Sequence, residues 1–461
     1  MNLKSIFMSM LAVAALASCN NNDDEIPGVG NQGEKASSWL GVSVSLPASA
    51  FSRAADGDTN ADGVETAVET VSLYYRKTDG TVDALVTTLT AGDFDKADAI
   101  YTAKKAVLVP LKKGTVVDIY AAINAPAANL FKPNWFAFKG TAGDPNVNYW
   151  TVNSSELSND NKFTMTGQGQ GTTYATDTEA QKGTHVDIEI KRAVAKVLVT
   201  TSSAASFDPA TDFEDKNPNG ASGKFQRNSL KWTIGNNNKK IFLLADGAGK
   251  DPNWETLTGT PASLDDEYDN REPKVYDMLV PAYSPSIVTG YETGKQVQYC
   301  NENTNETYQY GNTSFISVQA EFVPTLIVKS VTGRYPDMEI PAETNDLGVA
   351  TFYYNTTELK YFTADAYKKA VEEAYMPEKD FKGPYKDGKC HYFIPIKNGA
   401  NELGVKRNTY YTMRINSLKA PGEPSSNPGG DIDPVEQNSW ISVDFTVKNW
   451  DPQSMGDLDL E

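Results

Sequence analysis

The stretch Ser37-Ser-Trp-Leu-Gly-Val-Ser-Val-Ser-Leu-Pro-Ala-Ser49 has a near copy at the other end of the chain, Asn438-Ser-Trp-Ile-Ser-Val-Asp-Phe-Thr-Val-Lys-Asn-Trp450. Laid in register from Trp39 to Leu46 and from Trp440 to Val447, both read Trp, aliphatic, small, Val, polar, apolar, polar, aliphatic. Side chains of a strand alternate between two faces. Leu40, Val42, Val44 and Leu46 therefore share one face of the first copy, and Ile441, Val443, Phe445 and Val447 share one face of the second. Either set could fill the same row of core pockets.

Period two is the rule along the rest of the chain. Thr70–Tyr75, Val116–Ile123, Val186–Ile190, Ser314–Phe322 and Tyr410–Leu418 alternate or run apolar between Gly, Asn, Pro and Asp clusters, which predicts an all-β fold of antiparallel sandwiches. One helix is predicted, capped by Thr363 and running from Ala364 to Tyr375 before Pro377. The length of 461 residues allows roughly two or three domains of about 150 residues. A Ser, Asp, Pro, Asn and Gly shift over 202–223 marks the expected boundary, and a Pro/Gly-rich segment from Lys419 to Asn438 leads into the carboxyl copy. That segment reads as an extended, poorly packed leash.

Composition narrows the function. With 39% apolar residues and 23 Tyr the chain is globular. A formal net charge of -18 repels phosphate backbones and anionic headgroups, so no nucleic-acid partner is expected. The amino terminus reads as an export signal: Lys4, an apolar run from Ile6 to Ala17 too short to span a bilayer, then Leu16-Ala17-Ser18-Cys19. This ending resembles a bacterial lipobox, in which Cys19 would be the lipidated residue. The alternative is an ordinary secretory signal with an incidental cysteine. Cys300 and Cys390 either pair or stay as two buried thiols.

Enzyme chemistry finds little support. The two histidines, His185 and His391, have no second metal ligand at a recognised spacing. No catalytic residue, cofactor or metal is expected. Gly167-Gln-Gly-Gln-Gly171 lacks dinucleotide spacing and reads as a flexible loop. Asp58, Asn60, Asp62 and Glu69 fit the spacing of a calcium loop. The strand patterns on both sides, where an EF-hand needs helices, favour a solvated acidic loop instead.

Between the first copy and the body of the protein lies Phe51-Ser-Arg-Ala-Ala-Asp-Gly-Asp58. Arg53-Ala54 is a good extended substrate for an Arg-specific protease. Cutting there would release the first copy and leave a hydrophobic groove flanked by open strand edges, which invites another strand. The carboxyl copy of a neighbouring molecule could enter it.

These features resemble the fimbrillins that build type V pili of Bacteroidetes, most closely the Mfa-type shaft subunits of the short fimbria. The resemblance rests on the lipobox at Cys19, the Arg53-Ala54 junction, Phe163–Thr166 followed by Val186–Val197 with its Arg192-x-x-Ala195-Lys196, and the ending Arg407-Asn-Thr-Tyr-Tyr411, Pro/Gly linker, Trp440 to Trp450. It implies two tandem transthyretin-like β-sandwich domains with a few short helices. The organisation expected is a signal peptide over 1–19, a propeptide with a removable strand over 20–53, sandwiches over 54–205 and 206–418, and a linker with donor strand over 419–461. It also implies export as a palmitate-bearing lipoprotein of the outer membrane, removal of the amino strand (Leu40, Val42, Val44, Leu46), and head-to-tail polymerisation through Trp440, Ile441, Val443, Phe445 and Val447. Partners would be copies of itself, anchor and tip subunits, and the processing protease at the cell surface. The presence of both Arg53 and the carboxyl extension favours a shaft subunit over an anchor or tip. A lipid-anchored glycan-binding protein, suggested by seven Trp and many Tyr, is the alternative; a hydrolase ranks third.

Overall fold

A computed structural model of the chain describes residues 37–46, 67–76, 83–97, 99–125, 150–158, 162–201, 213–214, 223–242, 244, 251, 278–279, 297–332, 335–341, 351–398, 402–418, 420–426, 435, 441–449 and 458–460. Strands dominate and the helices are few and short, as the period-two patterns require.

The first unit is an eight-stranded sheet. Its order is Asp83–Thr90, Thr70–Arg76, Val116–Ile123, Met165–Thr172, Val186–Arg192, Val42–Ser45, Ile100–Ala103, Phe94–Ala97. Every neighbouring pair is antiparallel except Val186–Arg192 with Val42–Ser45, which run parallel. Ser38–Leu40, just upstream, pairs with Val107–Val109. Val71, Leu73, Ile119, Ile188 and Ile190 are among the side chains of a single buried cluster.

Gly167, Gly169 and Gly171 are not a loop. They sit in the strand Met165–Thr172, between Val116–Ile123 and Val186–Arg192. A Cβ on Gly167 would lie 2.1 Å from the Glu189 carbonyl oxygen, and one on Gly169 would lie 2.4 Å from that of Asp187. The glycines let the two strands close up where any side chain would force them apart.

The second unit is a sandwich. One sheet orders Val297–Asn301, Val194–Thr201, Thr409–Leu418, Ile441–Asn449 and Leu458–Leu460, and the other orders Phe213–Glu214, Gly223–Gly235, Phe315–Pro324 and Lys389–Pro395. Val197, Tyr411 and Met413 from the first share one buried cluster with Phe225, Trp232 and Val318 from the second. A further five-stranded sheet, Tyr335–Pro341, Leu326–Thr332, Lys360–Thr363, Phe352–Asn355 and Phe381–Tyr385, carries the helix Ala364–Glu372. The Thr363 hydroxyl accepts from the Ala366 N–H and caps that helix, as its sequence predicts. The chain passes from the first main cluster of buried residues to the second between Val194 and Ala195, inside one continuous stretch of extended chain, and returns to the first only at Ile241 and Leu244.

Candidate functional site

The amino-terminal strand lies in the interior of its sheet. Val42, Ser43, Val44 and Ser45 face Val186, Asp187, Ile188 and Glu189 on one side, and Ser43 to Ser45 face Thr102 to Ile100 on the other. Upstream, Trp39 and Tyr174 exchange backbone hydrogen bonds of 2.9 and 2.8 Å, and at the far end the Leu46 N–H donates to Ala99 at 2.9 Å. Leu40, Val42, Val44 and Leu46 are 1%, 1%, 0% and 5% exposed and belong to the first core. Downstream, the chain leaves this strand through 47–66, outside the described residues, and Arg53, Ala54 and the lipobox Cys19 lie outside them too. The strand's own hold on the sheet is therefore backbone pairing, four buried apolar side chains and the hydrogen bonds of the buried Ser43 hydroxyl.

The carboxyl copy is already used within its own chain. Ile441–Asn449 pairs antiparallel with Thr409–Leu418, setting Phe445 against Met413, Val443 against Ile415 and Asp444 against Arg414. Ile441 is 7% and Phe445 3% exposed, while Val443 and Val447 are half-buried against the same core. The sequence places this strand at the end of a poorly packed leash, a tail free to enter a neighbour's groove; in the isolated chain it is instead docked, and without it Thr409–Leu418 would present a bare edge on this side. Trp440 lies outside the described residues.

The leash is also shorter than its composition suggests. Between His391 and Glu423 two backbone hydrogen bonds of 2.8 Å run in opposite directions. The Tyr392 hydroxyl donates to the Ala420 carbonyl at 2.7 Å and that of Tyr385 to Gly422 at 2.9 Å, while Lys382 pairs with Glu423 at 3.1 Å. Residues 420–423 are thus bound along Lys389–Pro395. Buried tyrosines far away in sequence supply the anchors, which is why composition alone missed them.

The motif residues behind the resemblance meet in space. Arg192 donates through Nη1 to the Asn408 side-chain oxygen at 3.3 Å, the Asn408 N–H donates to Val194 at 2.9 Å, and the Lys196 ammonium stands 5.2 Å from the centre of the Tyr410 ring. Arg407 forms a buried ion pair with Glu302 at 3.0 Å. Arg-x-x-Ala-Lys and Arg-Asn-Thr-Tyr-Tyr are two sides of one parallel strand pair, Lys196 opposite Tyr410. Buried cations of this kind persist only where rings and acceptors surround them. A group that sequence reasoning passed over, Asn236, Asn237, Asn301, Asn303 and Asn312, forms a buried amide network beside them; its signal was the alternating asparagines of Asn301-Glu-Asn-Thr-Asn305.

Cys300 and Cys390 are buried and form no disulfide. Burial pushes the Cys390 thiol up to about 12. It likewise raises the Tyr385 and Tyr392 hydroxyls well above their ordinary range. Of the calcium-loop candidates only Glu69 is described, and its carboxylate pairs with Lys162 at 2.9 Å; Asp58, Asn60 and Asp62 lie outside the described residues.

Residues 384–455 match the family described as "Major fimbrial subunit protein type IV, Fimbrillin, C-terminal". The match agrees with the resemblance to Bacteroidetes fimbrillins drawn from the sequence. No curated relative matches the chain. Solved structures similar to it include a fimbrilin from Porphyromonas gingivalis W83, at 12% identity and a TM-score of 0.45, covering 91% of this chain and 99% of that one. A tip fimbrial protein from Porphyromonas gingivalis with C-terminal truncation gives 14% and 0.37, covering 90% and 100%. A fimbrial assembly protein from Parabacteroides distasonis gives 10% and 0.37, covering 92% and 99%.

Proposed function

We propose that this chain is a structural subunit of the shaft of a cell-surface fimbria, and not an enzyme. It is exported as a lipoprotein through Cys19, cut between Arg53 and Ala54 by an Arg-specific protease, and joined to its neighbours by strand exchange. The observation that supports this reading is the place of the amino strand. It fills an interior position between Val186–Arg192 and Ile100–Ala103, yet its downstream covalent link runs through the stretch that contains Arg53. A cut there turns an integral strand into a bound peptide, and its loss opens a groove with a strand edge on each side. The fimbrillin match over 384–455 covers the segment that supplies the exchanging strand. That strand must first leave Thr409–Leu418, where it now sits.

The test is Arg53→Ala in cells that make the fimbria. The variant should be exported and folded, with its own strand still in the sheet, and sheared fractions should hold no polymer. Long polymers from this variant would sink the reading.

A further inference from the structure

We infer that His185 is a specificity-determining residue of the groove, keyed to the amino strand by a glycine and a hydroxyl at two fixed positions. The inference rests on the groove proposed above. On the outer face of the inserted strand, the Ser43 hydroxyl lies 3.1 Å from His185 Nδ1 and 3.4 Å from the Thr102 hydroxyl. His185 Nε2 is 3.1 Å from the Gln181 carbonyl oxygen. A carbonyl only accepts, so Nε2 carries a proton, and in the tautomer with Nδ1 bare that nitrogen accepts from Ser43. The ring is thus braced between the helix Asp177–Lys182 and the strand.

Two residues earlier on the same face stands Gly41. A Cβ there would come within 2.3 Å of His185 Cδ2 and 2.5 Å of the Ala180 carbonyl oxygen. The space a side chain needs is taken by the ring and by the helix. The Gly41 carbonyl meanwhile accepts from the Val186 N–H at 2.8 Å, so the backbone here cannot swing outward without breaking the ladder. The groove therefore admits a strand with nothing at this position and a hydroxyl donor two residues on.

The carboxyl copy fails on both counts in the register that aligns the two Trp. Ser442 takes the place of Gly41, and Asp444 takes that of Ser43. The serine brings a Cβ against the ring. A carboxylate, which only accepts, cannot replace the hydroxyl as a donor to Nδ1 and can bond there only if the ring takes up a second proton. For the carboxyl strand to settle in this register, His185 has to turn away and the end of the helix has to yield. His185 thereby favours the resident strand and opposes its replacement.

The experiment uses the full chain nicked after Arg53 and follows exchange of its resident strand with labelled peptides. Peptide 37–49 should bind, and its Gly41→Ala and Ser43→Ala forms should bind at least about tenfold and about threefold more weakly. His185→Ala in the protein should shrink both the Ser43→Ala difference, leaving only what Thr102 contributes, and that of Gly41→Ala. It should also weaken peptide 37–49 and strengthen peptide 438–450, two effects of opposite sign that a general loosening of the fold would not give. Equal binding of the native and Gly41→Ala peptides to the unaltered protein, or changes of the same sign for both peptides on His185→Ala, would overturn the inference. Should peptide 438–450 bind neither protein, the exchange reading fails, while the two substituted 37–49 peptides still decide the role of His185.

Discussion

The proposed cleavage after Arg53 would turn the amino strand into a separate peptide whose rate of escape depends on what each of its side chains touches. Val44 is the decisive position. It is fully buried, at 0% exposure, and stands opposite Ile188 on one side and Tyr101 on the other. Val44→Ala removes two buried carbons, about 0.8 kcal/mol each by transfer, and leaves a cavity in addition, for a total of about 2 kcal/mol. At about 1.4 kcal/mol per factor of ten, release should quicken roughly 30-fold if the loss falls on dissociation. Val44→Asp places a carboxylate among apolar side chains at a further cost of several kcal/mol, and the nicked fragment should not be retained. Ser45→Ala, at a half-buried position, should change release by about twofold or less. The assay is gel filtration of the nicked full chain against time, with mass spectrometry of the fragment ending at Arg53 and an excess of labelled 37–49 peptide as a trap. If Val44→Ala and Ser45→Ala release their fragments alike, burial of the predicted face does not hold the strand and the groove has been misassigned.

A disulfide between Arg414→Cys and Asp444→Cys, facing positions on the outer side of adjacent strands, should fix Ile441–Asn449 in its own sheet. The oxidised, nicked variant should stay monomeric on an unboiled gel while the reduced one polymerises; equal ladders would show that another segment is the donor. Alkali should destabilise the protein. Cys390 stays protonated in the folded chain to about 12 against an ordinary value of 9.0. The unfolded chain thus loses this proton first, and stability falls as pH rises from about 9 toward 12, by at most about 1.4 kcal/mol per pH unit for this group. Tyr385 and Tyr392, raised in the same direction, deepen the decline. A thermal midpoint no lower at pH 10.5 than at pH 8 would contradict it. Finally, a chelator should leave the thermal midpoint unchanged if the loop from Asp58 to Glu69 is merely solvated. A drop that calcium restores and Asp58→Ala abolishes would establish a bound ion instead.

How far the sequence reached follows from what each signal measures. Period two reports which residues share a face, and Val186–Arg192 alternates buried and exposed along its length as that pattern requires, whereas Val116–Ile123 is buried on both faces from Ile119 onward, as its apolar run allows. The helix at Ala364 was legible from its Thr363 cap, a local device. Partners are another matter. Nothing in Ile441-Ser-Val-Asp-Phe reveals that its neighbour is Thr409–Leu418 in the same chain, since alternation fixes a face and leaves the pairing open. The same blindness hid the bound stretch 420–423, whose anchors Tyr385 and Tyr392 belong to other elements. Gly167–Gly171 misled for the opposite reason: three glycines are a local loop signal, overridden here by the close approach of Val186–Arg192. Within the groove, His185 read as one more residue of a strand pattern. Its meaning depends on Ser43, 142 positions away in sequence.

The occupied place of the carboxyl strand changes what must drive assembly. In its own sheet this strand buries Ile441 and Phe445, worth about 3 to 6 kcal/mol together. In the proposed exchange it gives these up and gains a groove whose present occupant buries four side chains, worth about 6 to 12 kcal/mol on the same scale. That gain is cancelled while the amino strand is still attached, because a tethered strand competes at an effective concentration in the millimolar range. The cut at Arg53 ends this advantage. A fragment diluted to the micromolar range is disfavoured by about a further 4 kcal/mol, three factors of ten, and a fragment washed from the cell surface does not return. Proteolysis then supplies direction, since pairing energies alone would hold each strand where it now lies. His185 sharpens the same asymmetry, with a slot shaped for Gly41 and Ser43. On this account an uncut subunit remains closed while its neighbours stay well below the millimolar range, and polymer should appear only in proportion to the fraction cleaved.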